Sequence, residues 1–220
     1  MSSLRGIKCL VTAGPTYEAI DPVRFIGNRS SGKMGIAIAD DLTKRGAEVV
    51  LILGPSSEKI PTQIAKVVRI ESADDMYHAV MSEIKTVRLG IFSAAVADYK
   101  PKVMAQEKIK KAGEELSIDL VKTVDILAEV GKQKSANQVI VGFALETNNE
   151  EENAKQKIVK KNLDMIVLNS LKDTGAGFQH DTNQIMIIDK ENNSVKFELK
   201  SKLEVAVDIN NYIESKFFCT

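Results

Sequence analysis

The chain has 220 residues, which is long enough to bury a sizeable core in one α/β domain or in one domain with a flap. Lysine plus arginine and aspartate plus glutamate number 30 each, so no global field points to nucleic acid or to an anionic membrane. No apolar run approaches the length needed to cross a bilayer, and two cysteines suit a reducing compartment, so we expect a cytoplasmic protein.

The first predicted elements are a buried strand and a helix. The apolar run over residues 7–13 predicts the strand. Met34, Ile38 and Leu42 recur at i+4 spacing and predict the helix, on which Gly35 is small enough for close approach to a sheet. The polar loop over residues 14–30 joins them, and a loop of 17 residues is unusual in a compact domain unless it has a function.

This loop leads into Ser30-Ser31-Gly32-Lys33 at the start of the helix. Unpaired backbone N–H groups, the helix dipole and a lysine all favour a bound phosphate or carboxylate there, although an ordinary capped helix is the simpler interpretation of the tetrapeptide alone. Residues 27–33 fit the phosphate-loop pattern G-x-x-x-x-G-K, but Met34 stands where the pattern requires a hydroxyl. The G-x-G-x-x-G pattern of dinucleotide-binding folds is missing.

The loop and the helix start resemble the phosphopantothenoylcysteine synthetase family. The segments that carry the resemblance are Gly14-Pro15-Thr16, Asp21-Pro22-Val23-Arg24 and Asn28-Arg29-Ser30-Ser31-Gly32-Lys33-Met34-Gly35. The resemblance implies a ligase of coenzyme A biosynthesis that joins 4′-phosphopantothenate to cysteine through an acyl-cytidylate, with CTP as co-substrate, Mg²⁺ on the triphosphate and release of pyrophosphate. It further implies a homodimer and a fused or associated decarboxylase. Some relatives use ATP, so the nucleotide preference stays open.

Further apolar runs without polar alternation predict buried strands at 48–53, 66–70, 89–94, 139–143 and 163–168. Helical patterns over 73–85 and 151–161 lie between them, a late hairpin is predicted at 184–188 and 195–199, and a closing helix follows. Such strands separated by helices indicate a parallel sheet covered on both faces. We therefore predict an α/β fold, a Rossmann-like or ribokinase-like three-layer sandwich with a mainly parallel central sheet, as a single domain over 1–220.

A turn of small residues after the fourth strand ends in Asp98, whose carboxylate accepts hydrogen bonds or helps position a metal; alone, it is better explained as a solvated loop residue. The runs 107–111 and 116–120 predict a hairpin that protrudes as a flap. On such a strand Lys108 and Lys110 share one face, which suits a bound anion or, equally well, a lysine-protected edge.

A further helix is predicted to open within 122–127, with Thr123 or Asp125 as its cap and a second candidate phosphate site behind it. Lys157 and Lys161 border the apolar stripe of the helix over 151–161 and can reach the ligand edge of the sheet, although a lysine-rich helix is more often a solvated face. A loop is predicted at 175–178.

Carried over residue by residue, the resemblance implies that Asn28 and Lys108 are catalytic and that Arg24 and Asn28 bind phosphopantothenate. Asn28 would stabilise the acyl intermediate, and Arg24 could come from a neighbouring subunit. With the phosphate sites above, the nucleotide-binding residues are Ser30, Ser31, Gly32, Lys33, Ala94, Ala95, Asp98, Lys108, Thr123, Val124, Asp125, Ile126, Phe143, Lys157 and Lys161. Thr123-Val124 and Asn169-Ser170 depart from the family pattern, which puts their side-chain contacts in doubt.

Two functions of other classes compete with this interpretation. One is a nucleotide-binding module without catalysis, and the other is an NAD(P)-dependent oxidoreductase on a Rossmann-like sheet, against which the missing glycine pattern counts. His78 and His180 have no evident partners and lie in no Cys/His cluster, so neither a zinc site nor a Ser-His-Asp arrangement is predicted.

Overall fold

A computed structural model describes residues 2–111, 113–146, 149–170 and 181–219. The loop predicted at 175–178, His180 and Ala112, in the predicted hairpin turn, lie outside these ranges. None of the described helices is both long enough and apolar enough to cross a membrane.

Fourteen strands are formed by the described residues. In chain order they are β1 (Lys8–Ala13), β2 (Tyr17–Ala19), β3 (Phe25–Gly27), β4 (Glu48–Leu53), β5 (Lys66–Arg69), β6 (Leu89–Phe92), β7 (Tyr99–Pro101), β8 (Leu120–Lys122), β9 (Val139–Glu146), β10 (Met165–Ser170), β11 (Thr182–Asn183), β12 (Ile185–Asp189), β13 (Ser194–Lys196) and β14 (Lys200–Ser201). The helices of the same residues are α1 (Lys33–Lys44), α2 (Ala73–Glu83), α3 (Ile126–Gln133), α4 (Glu150–Lys160) and α5 (Lys202–Ile213). A 3₁₀ turn (Ile84–Thr86) extends α2, and a π-helical turn (Glu214–Phe218) extends α5.

Eight strands form the central sheet in the order β13-β12-β10-β9-β6-β1-β4-β5. The six from β10 to β5 are parallel to one another, whereas β12 and β13 run antiparallel at one edge. Numbered along the chain, the parallel strands follow the order 3-2-1-4-5-6, whose direction reverses between β1 and β6. The predicted α/β fold with a mainly parallel sheet is confirmed, and the reversal marks the edge where ligands bind in such sheets.

Helices cover both faces of this sheet because successive strand side chains point to opposite sides. On β1, Cys9 and Val11 pack in one core with α1 and α5, whereas Leu10 packs in a second core with α2, α3 and α4. Burial raises the pKa of the Cys9 thiol to about 12, so this cysteine is a neutral core residue. The result is the predicted three-layer arrangement.

Helix α1 lies close to the sheet at Gly35. A Cβ atom at this position would lie 2.5 Å from both the Cβ of Ala13 and the Oγ of Ser93. Gly32, the N-cap of α1, adopts a φ of 86°, a conformation that favours glycine. The two glycines thus bring the first turn of α1 directly against the carboxyl ends of β1 and β6.

The chain ends are tied together by Glu214. Its Oε1 accepts hydrogen bonds from the Ser2 hydroxyl at 2.7 Å and from the Ser3 backbone N–H at 2.7 Å, and its Oε2 lies 2.8 Å from Nη1 of Arg45. Burial opposes ionisation, but these donors outweigh it and hold the pKa of Glu214 at about 2.

The hairpin predicted over 107–120 is wrong in its position. The antiparallel ladder lies further out, where Tyr99 pairs with Lys122 and Pro101 pairs with Leu120. The described residues of 102–119, here called the flap, contain no strand. Nearly all of their side chains are exposed, so no buried face stabilises the alternation that suggested strands.

Two further features refine the prediction. Helix α3 begins at Ile126, within the predicted range of 122–127, because residues 120–122 pair in β8; of the two candidate caps, Asp125 is the N-cap. The loop after β1 contains a short hairpin of β2 and β3, in which the rings of Tyr17 and Phe25 stack with centroids 3.8 Å apart.

Candidate functional site

A cleft of about 670 Å³ opens at the carboxyl ends of β1, β6 and β9, where the strand order reverses. Thr12, Phe92 and Ala144 line it from these three strands. The predicted site residues that line it are Asn28, Ala94, Ala95, Asp98, Thr123, Val124, Asp125, Ile126, Phe143, Lys157 and Lys161. Residues far apart in the sequence therefore share one cavity at the edge where such sheets bind ligands.

The segment after β6 is held in place by two buried threonines. The Oγ1 of Thr16 accepts a hydrogen bond from the Ala97 N–H at 3.0 Å, and the Oγ1 of Thr12 accepts one from the Ala94 N–H at 3.3 Å. Neither threonine was predicted as a site residue, although Thr16 belongs to the segment Gly14-Pro15-Thr16 that carries the family resemblance. Their exposed fractions are 0 % and 1 %, so the two hydroxyls replace water as partners of the loop backbone.

Asn28 lies at the rim of the cleft and contacts the same segment. Its Nδ2 donates to the carbonyl oxygens of Ala95 and Val96, at 3.0 and 3.1 Å. Both donor hydrogens of the amide are therefore engaged by backbone in this structure. Donation to an acyl intermediate, the role predicted for Asn28, requires at least one of these hydrogen bonds to be exchanged for a substrate oxygen.

The opposite wall of the cleft carries the cap of α3 and its lysine partner. The Oδ1 of Asp125 accepts a hydrogen bond from the Ala128 N–H at 3.0 Å, and Nζ of Lys161 lies 2.9 and 2.8 Å from the two carboxylate oxygens. Burial raises the pKa of Asp125, but the Lys161 ammonium and the Ala128 N–H outweigh it and lower the pKa overall. Lys157 lines the cleft one helical turn before Lys161.

The two sides of the cleft are joined through Thr123. Its N–H donates to the carbonyl of Asp98 at 3.0 Å, and its hydroxyl donates to the carbonyl of Ala97 at 2.6 Å. The threonine that departs from the family pattern thus holds the small-residue turn against β8. No three His, Cys, Asp or Glu side chains within the described ranges are grouped closely enough to hold a metal ion.

A smaller pocket of about 50 Å³ adjoins the cleft at the start of α1. Four predicted site residues line it rather than the cleft itself, namely Ser30, Ser31, Gly32 and Lys33. Ser93, Phe143, Leu145 and Asn169 line both cavities, so the pocket and the cleft are contiguous. Nζ of Lys33 lies 2.6 Å from Asp181 and 3.7 Å from Glu58, and the hydrogen bond with Asp181 is the main cause of its raised pKa.

Arg24 and Lys108 lie elsewhere, in a groove of about 590 Å³ between the loop after β2 and the flap. Neither residue lines the cleft or the pocket of this chain. Arg24, Lys108 and Lys110 are all exposed in this groove. The catalytic and nucleotide-binding role of Lys108 and the substrate-binding role of Arg24 therefore stay predictions.

Asp21 fixes the geometry of this groove, and it was not among the predicted site residues. Its carboxylate, 2 % exposed, accepts hydrogen bonds from the Arg24 side chain and from the backbone N–H groups of Val23, Arg24 and Ile109. The Arg24 guanidinium and these N–H groups hold the pKa of Asp21 well below its usual range, although burial opposes them. A short loop carboxylate followed three residues later by an arginine was the available sequence signal.

Sequence reasoning also missed Lys202 and Asn183, which line the small pocket. Lys202 follows Ser201, the N-cap of α5, which forms a capping box with Glu204. In the sequence, a lysine at the first position of a helix gives no local signal of a pocket. Only the three-dimensional arrangement brings it to the N-terminal end of α1.

Comparisons with known proteins relate the chain to a family and to several named proteins. A family model described as the DNA/pantothenate metabolism flavoprotein C-terminal domain matches residues 4–217. A protein named cysteine/cysteine sulfinic acid decarboxylase, from an unknown prokaryotic organism, is 53 % identical over 206 residues, which are 94 % of this chain and 57 % of that protein. The coenzyme A biosynthesis bifunctional protein CoaBC of Bacillus subtilis strain 168 is 45 % identical over 206 residues, 94 % of this chain and 50 % of its own length.

Among solved structures, the C-terminal domain of a coenzyme A biosynthesis bifunctional protein CoaBC superimposes with a TM-score of 0.82 at 43 % identity. The superposition covers 96 % of this chain and 98 % of that domain. The chain spans about half the length of the curated relatives it matches.

Proposed function

The chain belongs to the family of the DNA/pantothenate metabolism flavoprotein C-terminal domain, and from this membership we propose that it is a phosphopantothenate–cysteine ligase of coenzyme A biosynthesis. One observation carries the proposal: a single cleft at the strand-order reversal brings Asn28 and Asp98 together with Lys157, Lys161 and the N-terminus of α3. This is the combination of groups that activation of a carboxylate by a nucleotide triphosphate requires.

The chemistry explains why cations must line the cleft. A carboxylate is a poor electrophile, so one of its oxygens attacks the α-phosphorus of the nucleotide, the bond to the β-phosphate oxygen breaks and pyrophosphate leaves. This step brings an anion to a polyanion, and positive groups fixed beforehand lower its barrier. Lys157, Lys161 and the first-turn N–H groups of α3 supply them, after the Lys161–Asp125 pair is loosened by the incoming phosphates.

Amide formation follows in the same cleft. The cysteine amine attacks the carbonyl carbon of the acyl-nucleotide, the bond between that carbon and the phosphate oxygen breaks, and the nucleoside monophosphate leaves as the amine loses a proton. We assign to the Asn28 amide the stabilisation of the oxyanion formed in this attack, through donors that now contact Ala95 and Val96.

We propose that the base binds between the small-residue turn and Phe143. Ala94 and Ala95 leave space for a flat ring, Phe143 offers a stacking surface, and the exposed Asp98 carboxylate accepts hydrogen bonds from an exocyclic amine. Cytosine and adenine both carry such an amine, so Asp98 alone does not select CTP over ATP. CTP remains the proposed co-substrate because of the family resemblance.

Mg²⁺ is proposed to bind mainly to the nucleotide phosphates. The residues present fit this, since the Asp125 carboxylate lines the cleft at the start of α3 and one or two carboxylates plus substrate phosphates are the usual protein environment of this ion. The ion would neutralise phosphate charge when bound.

A homodimer is proposed because apolar side chains are exposed beside the groove that holds Arg24. Val23, Phe25 and Leu116 are 61 %, 51 % and 57 % exposed. Arg24 and Lys108 lie outside the cleft of their own chain, and a second copy would present them to it. We further propose association with a decarboxylase unit, given the bifunctional relatives, and a cytoplasmic location.

The name of the most identical relative reported above suggests a decarboxylase as a second candidate function. Because the chain spans 57 % of that relative, its activity cannot be attributed to the matched part. A pyrophosphate-release assay with 4′-phosphopantothenate and cysteine, comparing CTP with ATP, tests the ligase. Release that depends on both acid and nucleotide, together with formation of the amide, is expected; nucleotide binding without any release would indicate the non-catalytic module.

A further inference from the structure

Ala97, the residue before Asp98, is held on both sides by threonine hydroxyls. Its N–H donates to the Oγ1 of Thr16 at 3.0 Å, and its carbonyl accepts a hydrogen bond from the hydroxyl of Thr123 at 2.6 Å. Thr16 lies just before β2, and Thr123 lies between β8 and α3. The backbone that carries the Asp98 carboxylate is therefore fixed by two segments that are distant in the sequence.

Thr123 sets the direction of the Asp98 side chain from both sides. Its hydroxyl binds the carbonyl of the peptide group before the Asp98 Cα, and its N–H binds the carbonyl of the peptide group after it, at 3.0 Å. Residues 94–98 belong to no helix or strand, so no regular hydrogen-bond ladder does this instead. Ala97 is buried, whereas the Asp98 side chain is exposed and lines the cleft.

Asn28 holds the same turn, but its hydrogen bonds are not available throughout the reaction. Its amide donates to the carbonyls of Ala95 and Val96, and the role assigned to it requires at least one of these bonds to open for a substrate oxygen. The hydroxyl of Thr123 has a single donor hydrogen, which the Ala97 carbonyl accepts. This hydrogen bond can persist while Asn28 changes its partner.

We propose that Thr123 and Thr16 are positioning residues: they hold the Asp98 carboxylate where it accepts a hydrogen bond from the base, and so determine the preference for a nucleotide with an exocyclic amine. The inference rests on the ligase activity and the base site proposed above. Cytosine presents an amine that donates, whereas uracil presents a carbonyl oxygen at the same ring position, which cannot donate to a carboxylate. A carboxylate held in place favours CTP over UTP, and one that turns aside loses this difference.

The proposal also gives a function to the threonine that departs from the family pattern. The hydroxyl of Thr123 is engaged by the protein backbone, so its donor hydrogen serves the turn and not a ligand. Thr16, which is fully buried, lies outside the cleft and acts only through the N–H of Ala97.

The test compares the kinetics of pyrophosphate release with CTP and with UTP. Thr123→Val keeps the shape of the side chain and removes the hydroxyl, so the Ala97 carbonyl loses its donor. We expect the ratio of kcat/KM for CTP to that for UTP to fall about tenfold, mainly through a higher KM for CTP. The KM values for 4′-phosphopantothenate and cysteine should change less than about twofold. Thr123→Ser retains the hydroxyl and should restore the ratio.

Thr43→Val is the matched control. The hydroxyl of Thr43 donates to the carbonyl of Ala39 at 2.8 Å within α1, outside the cleft, so the same substitution there should leave the ratio unchanged. Thr16→Val removes the acceptor of the Ala97 N–H and should lower the ratio in the same direction as Thr123→Val. Thr16→Ser should again restore it.

Asp98→Ala shows whether Thr123 acts through the carboxylate. In that background Thr123→Val should have no further effect on the ratio, because the group that it positions is gone. An unchanged ratio in folded Thr123→Val, or an equally large fall in the Asp98→Ala background, overturns the inference.

Isothermal titration of CTP and UTP, each alone, measures the same preference without turnover. A wild-type protein that prefers CTP but releases no pyrophosphate with any nucleotide refutes the ligase, while loss of that preference in Thr123→Val still supports the role of Thr123. Equal binding of CTP and UTP by the wild type, together with equal kcat/KM values, refutes the positioning role and leaves the ligase standing.

Discussion

The backbone N–H of Ile109 donates to the carboxylate of Asp21 at 3.1 Å, across a separation of 88 residues. The Arg24 guanidinium, bound to the same carboxylate, donates to the carbonyl of Ile109 at 2.9 Å. One buried carboxylate thus fixes both the arginine loop and the middle of the flap, which has no strand of its own to hold it. The position of Lys108, next in the chain to Ile109, depends on this anchor.

Asp21→Asn should release the flap. The variant replaces an acceptor oxygen by an NH₂ group that faces the donors of Arg24 and Ile109, so these hydrogen bonds cannot all form. We expect the Ile109 amide to exchange with solvent about tenfold faster or more, measured by hydrogen–deuterium exchange. Asp119→Asn, the same charge change at an exposed flap position, is the control. Equal exchange in the wild type and Asp21→Asn would show that Asp21 does not anchor the flap.

Lys161→Met should impair nucleotide use selectively. Lys161 pairs with the cap of α3 and lines the cleft, whereas the neighbouring Lys160 is exposed and lies outside it. We expect the KM for CTP to rise about tenfold in Lys161→Met, with the KM for cysteine nearly unchanged. Lys160→Met removes the same charge one position earlier, at the last residue of α4. If both variants raise the KM equally, general electrostatics and not a phosphate contact explains the effect.

Asn28→Asp should separate binding from amide formation. The aspartate has no N–H to donate and repels the carbonyl oxygens of Ala95 and Val96, but it leaves the cations of the cleft in place. We expect substrates to bind within a few-fold of the wild type, while the rate of amide formation falls roughly 10²-fold or more. Single-turnover quenching that follows pyrophosphate and amide separately measures this. Asn137→Asp, an exposed position at the opposite end of the sheet, should leave both rates unchanged.

Glu214→Gln should make the free energy of unfolding depend less on pH below about pH 4.5. The folded-state pKa of Glu214, about 2, lies below the ordinary value of 4.5, so the ionised carboxylate stabilises the fold above pH 4.5 and this contribution is lost as the pH falls toward 2. We expect Glu214→Gln to cost on the order of 2 kcal/mol at pH 7 and almost nothing near pH 2. Urea denaturation at several pH values measures the difference. Glu129→Gln, which breaks only the pair with Lys132 within α3, should show no comparable pH dependence.

The layers of the fold were predictable because the apolar residues of each main helix and strand follow a recognisable pattern. The stripe of Met34, Ile38 and Leu42 identified α1, and uninterrupted apolar runs identified the parallel strands, since burial on both faces leaves no polar alternation. The flap was not predictable in the same way. Its exposed lysines and glutamates alternate with a few apolar residues, a pattern that local sequence cannot distinguish from a strand.

Much of the cleft was also predictable, because ligand residues in parallel sheets follow the strand ends. Asp98 and Asp125 each lie shortly after a predicted element and line the cleft. Thr16, Asp21 and Lys202 were not identified, since their importance comes from backbone groups and a helix end that are distant in sequence. Long-range placement of this kind leaves no local pattern in the chain.

The shared wall of Phe143 and Asn169 has a consequence for inhibitor design. A compound that joins an anionic group, placed at the start of α1, to a second group in the larger cavity would fill both compartments without passing through solvent. Such a linked compound would gain from the high effective concentration of its second half once the first is bound.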